Sequence, residues 1–228
     1  MRTLCIPLVG PMQSWGSRSR FTDRDCERTP TKSGVAGIVA AAMGLGRDAD
    51  LSRFRALSFA VRCEREGALR REFQTALDVA TADGKVDKNP QVSTRYYLAD
   101  AVFVAAIGGD AAFVDEAYAA LRAPVWQPFL GRRSYVPALP PYDTSGPLDA
   151  DSPRAALLSR PLIVGHDPDD FIRVEYDAGG RGNALRYDEP LSFAITGRDY
   201  AARPVRTEYV NAAMFPKGAF FEEARHVS

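Results

Sequence analysis

A chain of 228 residues, 46% hydrophobic and 25% charged, with neither repeats nor low-complexity tracts, has the make-up of an ordinary globular protein. Its length predicts one main domain with a smaller one appended. Lysine plus arginine equals aspartate plus glutamate at 29 each, which excludes nucleic-acid binding driven by net charge, so any such site must be local.

Residues 3–9 read as a first strand, halted by Gly10 and Pro11. A long loop follows, in which Arg18, Arg20, Arg24 and Arg28 alternate with Asp23, Asp25 and Glu27 as a solvated surface does. From Ser33, Val35, Ile38, Val39, Ala42 and Met43 recur at helical spacing until residues 44–46 stop the run. Gly34, Gly37 and the neighbouring alanines weaken this helix in isolation but allow close approach to a sheet. Residues 58–65 predict a second strand. Residues 71–79 and 92–98 predict a strand pair around the polar tip 81–90. Residues 101–107 predict a third core strand, after which Asp110 caps a helix whose Phe113, Val114, Ala117, Tyr118 and Leu121 share a face. A short segment at 125–129 is expected to return to the sheet.

This order, strand-helix-strand-strand-helix-strand with an inserted hairpin, is the ferredoxin-like split β-α-β arrangement. The expected fold is therefore α+β, with residues 1–148 forming a ferredoxin-like domain that carries a hairpin near 71–98. The proline-rich stretch 135–153 can hardly be helix or central strand and marks the boundary. Beyond it, 171–176 and 191–196 read as strands around a glycine-rich turn at 179–182, so residues 149–228 are expected to form a small, mostly β domain.

Three short stretches suggest an anion-gripping surface. In the first, Gly10, Pro11, Met12, Gln13 and Trp15 follow the first strand, offering an amide expected to be exposed and a ring that either stacks or plugs the core. In the second, Thr31, Lys32 and Ser33 open the first helix, where unpaired amides favour phosphate and the hydroxyls can cap. In the third, Gly131 precedes Arg132 and Arg133, whose planar forks suit phosphate or base edges or, alternatively, brace the acidic second unit.

An enzyme is harder to find. His166 sits in a turn and His226 in the tail, neither suited to general-base work. Nucleophile-elbow, Walker and zinc-protease motifs are missing, and Asp167, Asp169 and Asp170 lack calcium-loop spacing. Cys5, Cys26 and Cys63 are odd in number and without Cys-x-x-Cys spacing, which argues against disulfides and thiolate zinc; Cys5 and Cys63 are expected to be buried fillers. No cofactor or metal is expected. The N-terminal run, broken by Pro7, is too short for export or membrane spanning, so the expectation is a cytoplasmic protein with no membrane partner. Metal-independent RNA cleavage by Lys32, Lys85, Lys88, Tyr96 and Tyr97 is the enzymatic alternative.

The joint order of GPMQSWG, PTKSG, FAVRC at 59–63, YLAD at 97–100 and PFLGRRS at 128–134 resembles the CasD family. That family supplies the subunit of the type I-E CRISPR Cascade complex that holds the 5′ end of the guide RNA. The resemblance implies a RAMP version of the ferredoxin-like fold with a thumb hairpin. It also implies a non-catalytic role binding the 5′ handle of CRISPR RNA in a hetero-oligomeric complex with a backbone subunit and a large subunit. The implied handle groove comprises Gly10, Pro11, Met12, Gln13, Trp15, Thr31, Lys32 and Ser33, with Arg95 at the thumb base and Arg132 and Arg133 in the Gly-Arg-Arg loop. A cross-strand ion pair with Asp78 or Glu72 is the rival role for Arg95.

Overall fold

The computed structural model describes residues 1–16, 23–81 and 83–220. The readings made for Arg18, Arg20 and His226 lie outside them. A near-continuous apolar run, buried on both faces, builds β1 (Arg2–Val9), and after the glycine-proline stop come the two-residue strands β2 (Met12–Gln13) and β3 (Asp23–Arg24). Helix α1 (Lys32–Ala42) is capped by Thr31, whose side chain accepts from the Gly34 amide. A short α2 (Ser52–Arg55) leads into β4 (Ser58–Arg65).

The hairpin arms are β5 (Ala68–Ala76) and β8 (Gln91–Ala99), with β6 (Val79–Ala80) and β7 (Val86–Asp87) at the tip. The arms pair without a bulge from Ala68↔Ala99 to Ala76↔Gln91. Next come β9 (Val102–Gly109) and α3 (Ala111–Arg122), whose Asp110 cap accepts from the Phe113 amide. The remainder comprises β10 (Leu148–Asp149), α4 (Pro153–Leu158), β11 (Phe171–Asp177), β12 (Ala184–Ser192) and β13 (Asp199–Asn211).

Seven strands form one antiparallel sheet in the order β10-β1-β9-β4-β11-β13-β12. One face meets α1 and α3 through Leu4, Ile6, Phe59, Phe103, Val39 and Phe113. The other face buries Cys5, Ala60, Val104 and Ala106 under Ala156 and Leu157 of α4. Each large apolar side chain so buried contributes about 1.5–3 kcal/mol. Cys5 and Cys63 are the buried fillers expected.

Three expectations need correction. Residues 125–129 are not a strand: the Val125 and Trp126 amides bond to the Ala42 and Ala41 carbonyls, satisfying the open C-terminal end of α1 instead of a sheet edge. The position beside β1 goes to β10. The strand expected at 191–196 is displaced by β12 and the long β13, which Pro204 disguised. Pro204 lies just past the last β11–β13 pair, Asp177↔Val205, so its missing N–H costs the β11 ladder nothing. The strands of residues 149–228 also continue the first sheet, because β11 pairs directly with β4.

A buried ion pair holds that junction. Arg62 is fully buried; its guanidinium bonds to Glu64 Oε1 and to the carbonyls of Leu157, Arg160 and Pro161, while Glu64 Oε2 accepts from the Ile163 and Val164 amides. The FAVRC run, apolar in outline, thus carries the polar staple that fastens α4 and the chain after it.

Candidate functional site

The first and third stretches meet at the base of the hairpin, and the second reaches them through Trp15, whose ring lies against Gly34. The Ser14 amide donates to the Leu130 carbonyl at 3.0 Å and its hydroxyl to the Tyr96 carbonyl at 3.2 Å, tying the first loop to the Gly-Arg-Arg loop and to β8. Gly10 fits because a Cβ there would lie 2.9 Å from Leu130 Cδ1 and 3.0 Å from the Val136 carbonyl oxygen. Pro11 is exposed and Met12 half-buried, and β2 pairs Met12↔Ala99 and Gln13↔Leu98 against β8.

Gln13, expected to be exposed, is 0% exposed. Its amide nitrogen donates to the Leu8 and Ala101 carbonyls at 2.8 Å each, and its oxygen accepts from Trp15 Nε1 at 3.1 Å. It joins the ends of β1 and β9 and fixes the indole. Trp15 is 1% exposed, its ring against Gly34 of α1. Of the two fates foreseen for it, plugging the core is the one observed here.

The amino end of α1 also differs from expectation. The Lys32 amide donates to Asp188 Oδ2 at 2.8 Å, so a carboxylate from β12 already sits where a phosphate was expected. Lys32 is 4% exposed; its ammonium pairs with Glu189 Oε2 at 2.8 Å and donates to the Leu57 carbonyl at 2.7 Å. Asp188 in turn receives a two-pronged bond from Arg203, which also reaches Asp177. Burial tends to lower the Arg203 pKa, but these two carboxylates outweigh it and hold the guanidinium above its ordinary range. Ser33 is buried with its hydroxyl toward Thr31 Oγ1. Thr31, Lys32 and Ser33 therefore organise the helix start internally.

The two arginines of the third stretch part company. Arg132 Nη1 bonds to Glu72 Oε1 at 3.0 Å and to the Tyr135 hydroxyl at 2.7 Å, and Nη2 bonds to the Tyr96 carbonyl at 2.8 Å. It is a strut, yet to the hairpin and not to the acidic second unit. Arg133 is exposed. Arg95 is half-buried beside Ser93 Oγ at 3.1 Å. Its cross-strand neighbour Glu72 is taken by Arg132, and among the described residues Arg95 has no ion-pair partner. Exposed Arg70 and Arg71, opposite Tyr97 and Tyr96 on the same arms, went unnoticed; two adjacent arginines in a strand, which face opposite sides of the hairpin, were the available signal.

Burial pushes the Tyr135 phenol up to about 12, which keeps its hydroxyl protonated. Among the described residues no cluster of three potential metal ligands occurs, and no helix is long and apolar enough to cross a membrane.

Residues 3–206 match the family described as CRISPR-associated protein (Cas_Cas5). The chain belongs to that family. The Cascade subunit CasD of Escherichia coli (strain K12) is 31% identical to this Cas5-family chain over 216 residues, 88% of the chain and 92% of the relative. A chain of a CRISPR RNA-guided surveillance complex superposes with a TM-score of 0.81 at 35% identity, covering 95% of this chain and 94% of that one. A second solved structure, described as a crystal structure of Cas protein, gives 0.76 at 38% identity, with 95% and 98% covered. The mixed, strand-rich architecture of the Cas5-family chain is similar to theirs, and the resemblance to CasD carried by the motifs is real.

Proposed function

We propose that this Cas5-family chain is a non-catalytic subunit of a Cascade complex that caps and bends the 5′ handle of CRISPR RNA and contacts the backbone and large subunits. The observation that carries the reading is the convergence of the first loop, the Gly-Arg-Arg loop and the hairpin arms, with Arg133, Arg95, Arg70 and Arg71 around the junction. Arginines there give salt-dependent grip, and splayed bases give specificity. In this reading Pro11, Met12, Arg95 and Arg133 form the RNA surface, while Gly10, Gln13, Trp15, Thr31, Lys32 and Ser33 hold it in shape.

The order β10-β1-β9-β4 with α1 and α3 on one face supports a ferredoxin-like reading of the first 148 residues. Because α4 covers the opposite face, RNA would be held at the rim and hairpin and not across the sheet. Residues 149–228 are read as the assembly surface, supported by exposed Phe171, Tyr209 and Met214. A cytoplasmic setting accords with this role.

The cleavage alternative would enlist Lys32, which is buried in an ion pair, and no observation favours it. RNA cross-linking in the assembled complex, mapped to peptides, tests the main reading. Cross-links are expected within 10–16, 91–99 and 130–134; their confinement elsewhere would reject it. Purified protein incubated with repeat RNA without metal is expected to give no products.

A further inference from the structure

The hairpin leaves the main sheet through two residues of left-handed backbone, Gly67 (φ +70) before β5 and Asp100 (φ +57) after β8. A Cβ at Gly67 would stand 2.5 Å from the Ala99 carbonyl oxygen, so the turn there requires glycine. Nine paired residues at about 3.3 Å each make the arms a lever of roughly 30 Å. A tilt of about 10° at its base moves the tip by about 5 Å, enough to break every hydrogen bond made there.

On one side, β2 and β3 pair with β8 and restrain the lever. On the other side, the restraint on β5 is Arg132. Its planar fork serves three acceptors at once: Glu72 on β5, the Tyr96 carbonyl on β8 and the Tyr135 hydroxyl of its own loop. Tyr135 closes the ring by donating to Glu72 at 3.2 Å, and its side chain packs against Tyr97 with ring centres 6.0 Å apart. The loop is fixed in turn by Leu130, whose amide bonds to the Tyr135 carbonyl and whose carbonyl accepts from Ser14. An arginine so engaged has little of its fork left for phosphate, and a lysine could not replace it, since an ammonium lacks the fork that spans these acceptors.

We propose that Arg132 is a positioning residue: with Glu72 and Tyr135 it forms a brace that sets the angle of the hairpin to the seven-stranded sheet, leaving RNA contact to Arg95 and Arg133. The role matters for function through the handle-binding reading above, but the brace is a property of the free chain. A direct phosphate contact and a brace differ in what Glu72 does. Beside a phosphate-gripping arginine, removing the carboxylate raises RNA affinity; in a brace, removing it loosens the hairpin and lowers affinity.

The test uses the full chain, free and in the assembled complex, with spin labels at positions 74 on β5 and 112 on α3. Arg132→Lys and Glu72→Gln are each expected to broaden and shift the label distance distribution by several ångströms. Each should also weaken handle protection several-fold, and Glu72→Gln with Arg132→Met together should do no worse than either alone. Arg95→Ala should weaken protection while leaving the distances unchanged. Unaltered distances in Arg132→Lys, or tighter RNA binding in Glu72→Gln, would overturn the brace. Shifted distances in variants of a protein that protects no handle even as wild type would sustain the brace and reject the handle-binding reading.

Discussion

The carbonyl oxygen of Ser14 occupies the space where a side chain on Gly131 would begin: a Cβ there would stand 1.7 Å from it, and Gly131 also has φ +91. Glycine is thus what lets the Gly-Arg-Arg loop lie against the first loop. Gly131→Ala is expected to push the loops apart and break the Ser14–Leu130 bond, at a cost of about 2 kcal/mol or more. Thermal unfolding should fall by at least several degrees. Gly37, in mid-helix, provides the contrast, because a Cβ added there would meet nothing within 4 Å. Gly37→Ala should stabilise by about 0.5–1 kcal/mol, and equal effects at the two positions would contradict the packing argument.

Lys32 is expected to behave as a structural residue. Its ammonium is buried against Glu189, so Lys32→Ala leaves a carboxylate without its partner and should cost about 3–5 kcal/mol. Urea denaturation measures this directly. Replacing both, Lys32→Met with Glu189→Leu, should restore much of the loss, because it removes both buried charges. A stable Lys32→Ala variant whose only defect is a smaller salt dependence of RNA binding would contradict this assignment and return Lys32 to the RNA surface.

For Arg133 the expectation is reversed. Its side chain is exposed, so Arg133→Ala should leave the unfolding midpoint within about 0.5 kcal/mol of wild type. It should also reduce the slope of log affinity against log salt by about 1. Arg95→Ala should weaken handle binding by about 1.5–3 kcal/mol if it makes a charge-assisted contact. Titrations of the assembled complex at several salt concentrations separate the two, and an unchanged slope for Arg133→Ala would remove it from the surface.

Local signals carried much of this fold. Thr31 and Asp110 announced their helices because each cap needs only residues three positions away. Short, near-continuous apolar runs, buried on both faces of the sheet, marked β1, β4 and β9, and the polar tip marked the hairpin. Helix α4 was missed: its signals, Ser152 as cap and Pro153 in the first turn, were there, but Pro153 was counted with the prolines before it as a helix breaker. The motifs were legible as three stretches; their burial was not. Gln13 is buried because its acceptors are the ends of two different strands, and Lys32 because Asp188 and Glu189 arrive from more than 150 residues later. Such partners leave no trace in a local window.

Alkaline pH offers a test of the buried interior. Burial pushes the Cys5 and Cys63 thiols up to about 12, each from an ordinary 9.0. Tyr135 follows, raised by burial to about 12 from 10.0. In the folded chain these groups stay protonated where the unfolded chain has released its protons, so above pH 9 the unfolded state binds fewer. Their stabilising effect is complete below pH 9 and is lost as the pH rises toward 12, at up to about 1.4 kcal/mol per unit for each buried thiol. Urea denaturation between pH 7.5 and 10.5 in reducing buffer should show a plateau followed by this decline. The double variant Cys5→Ala with Cys63→Ala should start from lower stability because of the cavities it creates, yet decline less steeply between pH 9 and 10.5. An identical slope in that variant would mean the thiols are not the groups that titrate.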